Sequence, residues 1–180
     1  MTAATRATIE DLYRVRGKAE IVNGEIVLMS PTGGLPGIGS GIIYASLLAH
    51  QRRVGGGYAL PDNVGFVVAL SHRRSFSPDA AFHRGPKPTM KFIQGAPAFA
   101  VEVRSEEDYG PAAEKAMAAK RADYFAAGTE VVWDVDLQGQ ETIRAYRVSG
   151  AEPRAFRRGE VADAEPAVPG WRFPVDDLFT

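Results

Sequence analysis

The chain is 180 residues long, 45% hydrophobic and 24% charged, which suits one folded domain over residues 1–180 and excludes the disordered and fibrous classes. The formal net charge is −1 and cysteine is absent, so disulfide frameworks and thiolate metal centres are excluded and any bound metal must use oxygen or imidazole ligands. No run approaches the roughly 20 apolar residues of a bilayer crossing, and the polar stretch 1–14 lacks the apolar core of a secretory signal, so the expected location is cytoplasmic, away from membranes.

In chain order, Thr8 opens a short helix to about residue 16, with Asp11 where a capping carboxylate sits. Asn23-Gly24 between two apolar runs predicts a hairpin, because both central residues of that turn need positive φ. A Gly/Pro-rich loop, 31–41, leads into a second helix over roughly 39–53, which Gly55-Gly56-Gly57 ends. Strands are expected at 64–70, at about 78–83 and at 98–104. An alanine-rich helix follows over 111–127, with Pro111 in its first turn and Gly128 at its end. A buried-type strand at 131–135 and an alternating partner at 141–148 come next. Trp171, Leu178 and Phe179 are expected to pin the tail to the body. No repeat or linker divides the chain, and the order predicts an α/β (α+β) mixed sheet flanked by helices, with an N-terminal hairpin.

Strand alternation puts Asp79, Ala81 and His83 on one face and Ala80 and Phe82 on the other. It likewise groups Glu102 and Arg104 with Ala98 and Ala100, opposite Phe99, Val101 and Val103. A carboxylate inside so apolar a strand needs a partner, either an arginine in an ion pair or a metal ion. If the two strands are neighbours, Asp79 and Glu102 converge and offer the hard oxygens that Mg²⁺ or Mn²⁺ prefers, to activate water and stabilise charge on a scissile phosphate. On the third helix Ala113, Ala116, Met117, Lys120, Tyr124 and Ala127 share a side. Lys120 either reaches over the sheet to orient a water or phosphate, or snorkels to solvent. The arginine groups 52–53, 73–74 and 154–158 read as solvated surface or as phosphate clamps. His83 is the one histidine on the Asp79 face, and no histidine has zinc-ligand spacing. Gly37 to Gly41 lacks the spacing of a dinucleotide loop, and neither a P-loop nor a serine-hydrolase elbow is present.

Six short segments occur in a telling order: Glu20 to Glu25, Pro78 to Phe82, Val101 to Ser105, Lys120 to Tyr124, Gly128 to Asp134, and Pro169-Gly170-Trp171 with Leu178-Phe179. Together they resemble the Uma-two family of endonucleases in the PD-(D/E)xK restriction-endonuclease-like superfamily, from about residue 10 to the end. The resemblance implies a restriction-endonuclease-like fold and a Mg²⁺- or Mn²⁺-dependent phosphodiesterase acting on DNA. It implies Asp79 and Glu102 as metal carboxylates, Lys120 as the signature lysine displaced onto a helix, and Glu20 as an accessory catalytic carboxylate; read alone, Glu20 is equally a hairpin-edge charge. By analogy with restriction-type folds it extends to a homodimer. Three positions depart from the pattern: Arg104 stands where the superfamily has lysine, Ala98 where many relatives have aspartate, and Pro36 near a common histidine. The competing expectations are a catalytically silent domain of this fold that binds nucleic acid or a protein partner, and a phosphodiesterase for small nucleotides.

Overall fold

The computed structural model describes residues 6–150 and 152–179; the first five positions of the polar opening stretch 1–14 lie outside these. The elements in chain order are α1 (Ile9–Arg14), β1 (Ala19–Val22), β2 (Glu25–Leu28), α2 (Gly34–Val54), β3 (Tyr58–Leu60), β4 (Phe66–Val67), β5 (Ser75–Phe76) and β6 (Ala80–His83). They continue with β7 (Ile93–Gln94), β8 (Phe99–Val103), α3 (Pro111–Ala126), β9 (Val131–Val135), β10 (Ile143–Arg147), β11 (Arg154–Phe156), β12 (Val161–Ala162), β13 (Phe173–Pro174) and a closing 3₁₀ turn, Val175–Phe179.

Six strands form the main sheet in the order β11-β10-β9-β8-β6-β3. β8 and β9 run parallel, joined by α3 as crossover, and the remaining neighbours are antiparallel. The expected α+β mixed sheet flanked by helices is therefore observed. Alternation assigns the two faces. Ala80, Phe82, Phe99, Val101 and Val103 enter the larger core with Ile43 and Leu47 of α2, whereas Ala81 and Ala100 pack beneath Tyr124 of α3. In the larger core Trp133 stacks on Trp171 at 5.0 Å, and the Trp171 indole N–H donates to Ser46 Oγ on α2 at 3.1 Å. This pins the tail, as does buried Leu178; Phe179 instead stays part-exposed beneath the Arg158 guanidinium.

The caps follow from sequence. Thr8 and Asp11 form a reciprocal capping box, and Asn23 and Gly24 hold φ of 53° and 80° in the hairpin turn. The second helix differs from expectation by beginning at Gly34, not near 39. Pro36 falls in its first turn, where a missing N–H loses no intrahelical bond, so a proline in a glycine-rich stretch starts the helix instead of forbidding it. The strand expected over 64–70 shrinks to Phe66–Val67, in a separate three-stranded sheet with β5 and β7. No described helix is long and apolar enough to cross a membrane.

Trp133 is fully buried among Phe99, Trp171 and Phe173. Trp133→Ala is expected to destabilise the fold by about 3–5 kcal/mol, through lost burial and a residual cavity, measured by urea unfolding at neutral pH.

Candidate active site

Four segments deliver charged side chains to the α3 face of the sheet. The first is β1, tied to the body by the Val22–Arg73 bridge and by the Ile21 N–H, which donates to Ser75 Oγ at 2.8 Å. This turns Glu20 inward to 2% exposure, which removes the reading of a hairpin-edge charge. One Glu20 oxygen accepts from the Ser77 N–H at 2.8 Å and lies 3.1 Å from Lys120 Nζ; the other accepts from Arg73 at 2.5 Å. Burial works against a charge on Glu20, but Lys120, Arg73 and the Ser77 N–H outweigh it and hold the carboxyl below its usual range.

Asp79 immediately precedes β6, opposite the end of β8. Its N–H donates to the Val101 carbonyl at 3.0 Å, and its Oδ2 accepts from the Val103 N–H at 2.7 Å. The main chain thus fixes Asp79 beside Glu102, as the antiparallel pairing of β6 and β8 requires. Glu102 accepts from Lys120 Nζ at 2.9 Å and from the Tyr124 hydroxyl at 2.6 Å. Burial pushes the Glu102 carboxyl above the usual range; Lys120 pulls against that, and Asp79 and Glu20 push it further up.

Lys120 and Tyr124 stand four apart on α3 and project together onto the sheet. Burial favours a neutral Lys120, but Glu102 and Glu20 overcome it and hold the ammonium well above the lysine range. Burial, then Glu102 and Glu20, raises the Tyr124 hydroxyl well above its ordinary value, so it is a neutral donor at any physiological pH. The structure therefore brings Asp79, Glu102, Lys120 and Glu20 into one cluster, and Lys120 is paired, not snorkelling.

Other candidates resolve differently. Arg104 lies beyond the end of β8 and makes a bidentate pair with Asp134, at 2.7 Å for each bond, and a further pair with Glu114 at 2.5 Å. Hydrogen bonds to Asp134, against burial, hold its guanidinium charged beyond the ordinary arginine range. Arg104, two positions after Glu102, is thus a structural hub between β8, β9 and α3. Arg73, read as loop surface or phosphate clamp, is buried between Glu20 and Asp123 and lies over the Phe76 ring at 4.9 Å. Arg154, Arg157 and Arg158 join exposed ion pairs with Asp163, Glu141 and Asp176. His83 turns its Nε2 to the Pro86 carbonyl at 3.1 Å and packs near Tyr58 and Phe66.

Sequence reasoning missed Lys18 and Asp62. Lys18 Nζ lies 2.5 Å from Asp79 Oδ1 and 2.7 Å from Asp62 Oδ1. A signal existed for Lys18, since it precedes Glu20 by two and strand alternation gives the two one face. Tyr124 was placed on the correct helix face but assigned only to packing. Asp123, which accepts from Arg73 and pairs with His72, lies within the segment Lys120 to Tyr124, where no residue spacing points to its partner fifty positions away.

Among the described residues no group of three or more acidic or histidine side chains is arranged to hold a metal ion. The pair Asp79 and Glu102 nonetheless fits Mg²⁺ chemically, because that ion commonly takes one or two protein carboxylates and completes its shell with water and phosphate oxygens. Their side chains keep 14% and 26% exposure, so both are reachable from solvent.

Three comparisons bear on this arrangement. Residues 8–176 match the family described as "Uma2: Putative restriction endonuclease". Among solved structures, the fold is similar to a "putative nuclease belonging to DUF820" from Anabaena variabilis ATCC 29413, with a TM-score of 0.74 at 16% identity, covering 96% of this chain and 97% of that one. No curated protein matches.

Because Glu20 has a depressed folded-state pKa, its stabilisation is complete above the ordinary value of 4.5 and is lost as pH falls below it. Glu20→Gln leaves Arg73 and Lys120 undercompensated and is expected to cost about 3 kcal/mol or more at neutral pH. The gap between wild type and variant in denaturant unfolding should narrow as the pH is lowered below 4.5.

Proposed function

Because the chain belongs to the Uma2 family, we propose that it is a divalent-metal-dependent endonuclease, hydrolysing phosphodiester bonds in DNA at the cluster of Asp79, Glu102, Lys120 and Glu20. The observation that carries this reading is the meeting of Asp79 and Glu102, opposed across β6 and β8, with the half-buried ammonium of Lys120, whose Nζ lies 2.9 Å from Glu102 and 3.1 Å from Glu20.

Asp79 and Glu102 would hold the cation, which supplies Lewis-acid charge to phosphate oxygens and acidifies bound water. The rest falls to the chain's own groups. Lys120 stays protonated at neutral pH, so it serves as a fixed donor to a scissile phosphate oxygen or to the attacking water, and not as a general base. Glu20, anionic and enclosed by Arg73 and the Ser77 N–H, positions Lys120 and keeps it charged. Tyr124 fixes one Glu102 oxygen and so limits how that carboxylate can turn. Cutting both strands of a duplex needs two such sites, so the reading extends to a homodimer.

A second reading, a nuclease-fold domain that binds nucleic acid without cutting it, draws on one observation: Lys18 and Lys120 already neutralise Asp79 and Glu102. Nicking of supercoiled plasmid with Mg²⁺ or Mn²⁺ separates the two. Wild type should nick, Asp79→Ala and Glu102→Ala should not, and Lys120→Ala should fall by about 10²–10³-fold, as for loss of one charge-stabilising donor. Unchanged circular dichroism must accompany these losses. DNA retention by wild type with no nicking in either metal would favour the second reading and overturn the first.

A further inference from the structure

Lys18 is a charged group of this cluster to which the reaction above gives no task. Its Nζ is 2.5 Å from Asp79 Oδ1 and its side chain is only 13% exposed. The other Asp79 oxygen is engaged by the Val103 N–H at 2.7 Å, so Oδ1 carries the lone pairs that no backbone group shares. An ammonium therefore sits on the Asp79 oxygen best placed to bind a cation. The same ammonium lies 2.7 Å from Asp62, whose side chain is 37% exposed just beyond β3 and which touches no other group of the cluster described above. Lys18 thus bridges two carboxylates at once, Asp79 of the pair and Asp62 beside it, and keeps Asp62 as a partner if Asp79 is given up.

We propose that Lys18 is a positioning residue of the cation site: its ammonium competes with a divalent ion for Asp79 Oδ1, withdraws to Asp62 when the ion enters, and so sets how tightly the site holds metal. This rests on the reading of Asp79 and Glu102 as metal carboxylates. Ammonium and divalent ion repel each other strongly at contact distance in a poorly hydrated site, so both cannot occupy Oδ1. Asp62 gives the displaced charge a partner, which lowers the cost of the exchange.

Calorimetric titration of Mn²⁺ into the full chain, without DNA, tests this. Lys18→Met should bind Mn²⁺ about tenfold tighter than wild type, a factor that corresponds to roughly 1.4 kcal/mol of removed competition. A gain in affinity cannot arise from misfolding. Lys18→Arg should stay near wild type, and Asp62→Asn should weaken binding by confining the ammonium to Asp79. Equal affinity in wild type and Lys18→Met overturns the competition; unchanged affinity in Asp62→Asn overturns the withdrawal. If Mn²⁺ binds equally to wild type and Lys18→Met but not to Asp79→Asn, the Lys18 role fails and the metal reading stands. If no form binds Mn²⁺, both fail together.

Discussion

A lysine that crosses from a helix onto a sheet face and finds two carboxylates there is the contact on which the rest of this structure turns. Lys120 meets Glu102 from β8 and Glu20 from the hairpin, and each of the three is largely withdrawn from water. Charges in such surroundings persist only when matched. Removing any one leaves the others undercompensated in a medium that solvates them poorly, so helix, sheet and hairpin are bound to one another by a shared electrostatic condition as well as by packing. The apolar contacts beneath them, Phe76 against Tyr124 at 4.0 Å and Tyr124 over Ala81 and Ala100, set the height at which the charges meet.

Strand β8 carries two charged residues outward from one apolar frame, and they go to different work. Glu102 turns towards Lys120 and Tyr124, whereas Arg104, just past the strand end, is taken by Asp134 and Glu114. Parallel pairing explains the second assignment, because β8 and β9 place Glu102 in register with Asp134, and the chain leaving β8 brings Arg104 onto that aspartate. An arginine two positions after the acid thus stabilises the sheet–helix junction, and the cation beside the acid comes from α3.

Much of this was legible from residue order, and for identifiable reasons. Alternation separated Ala81 and Ala100 from Ala80, Phe82, Phe99 and Val101, because β6 and β8 each bury both faces against chemically different neighbours. The family inferred from six ordered segments is the one to which the chain belongs. Lys120 was visible as a charge on a small-residue helix face, although nothing local said whether it would turn inward. What escaped had no period to reveal it. Strands β4, β5, β7, β12 and β13 are each two residues long, too short for alternation to register, and they exist because the surrounding chain lays them side by side. Arg73 and Asp123 find each other across fifty positions, so their pairing follows from the tertiary fold and from no nearby residue.

The β1–β2 hairpin brings Glu20, near the start of the chain, to 3.1 Å from Lys120 on the long helix α3, and Lys18, just ahead of β1, onto Asp79. Lys18 finds Asp62 and Asp79, and Glu20 finds Arg73, in segments that precede α3, but Glu20 lacks its second cation, Lys120, until α3 has docked. A fragment lacking α3 would therefore lack Lys120 and Tyr124, and the centre can be complete only once residues 111–126 are in place.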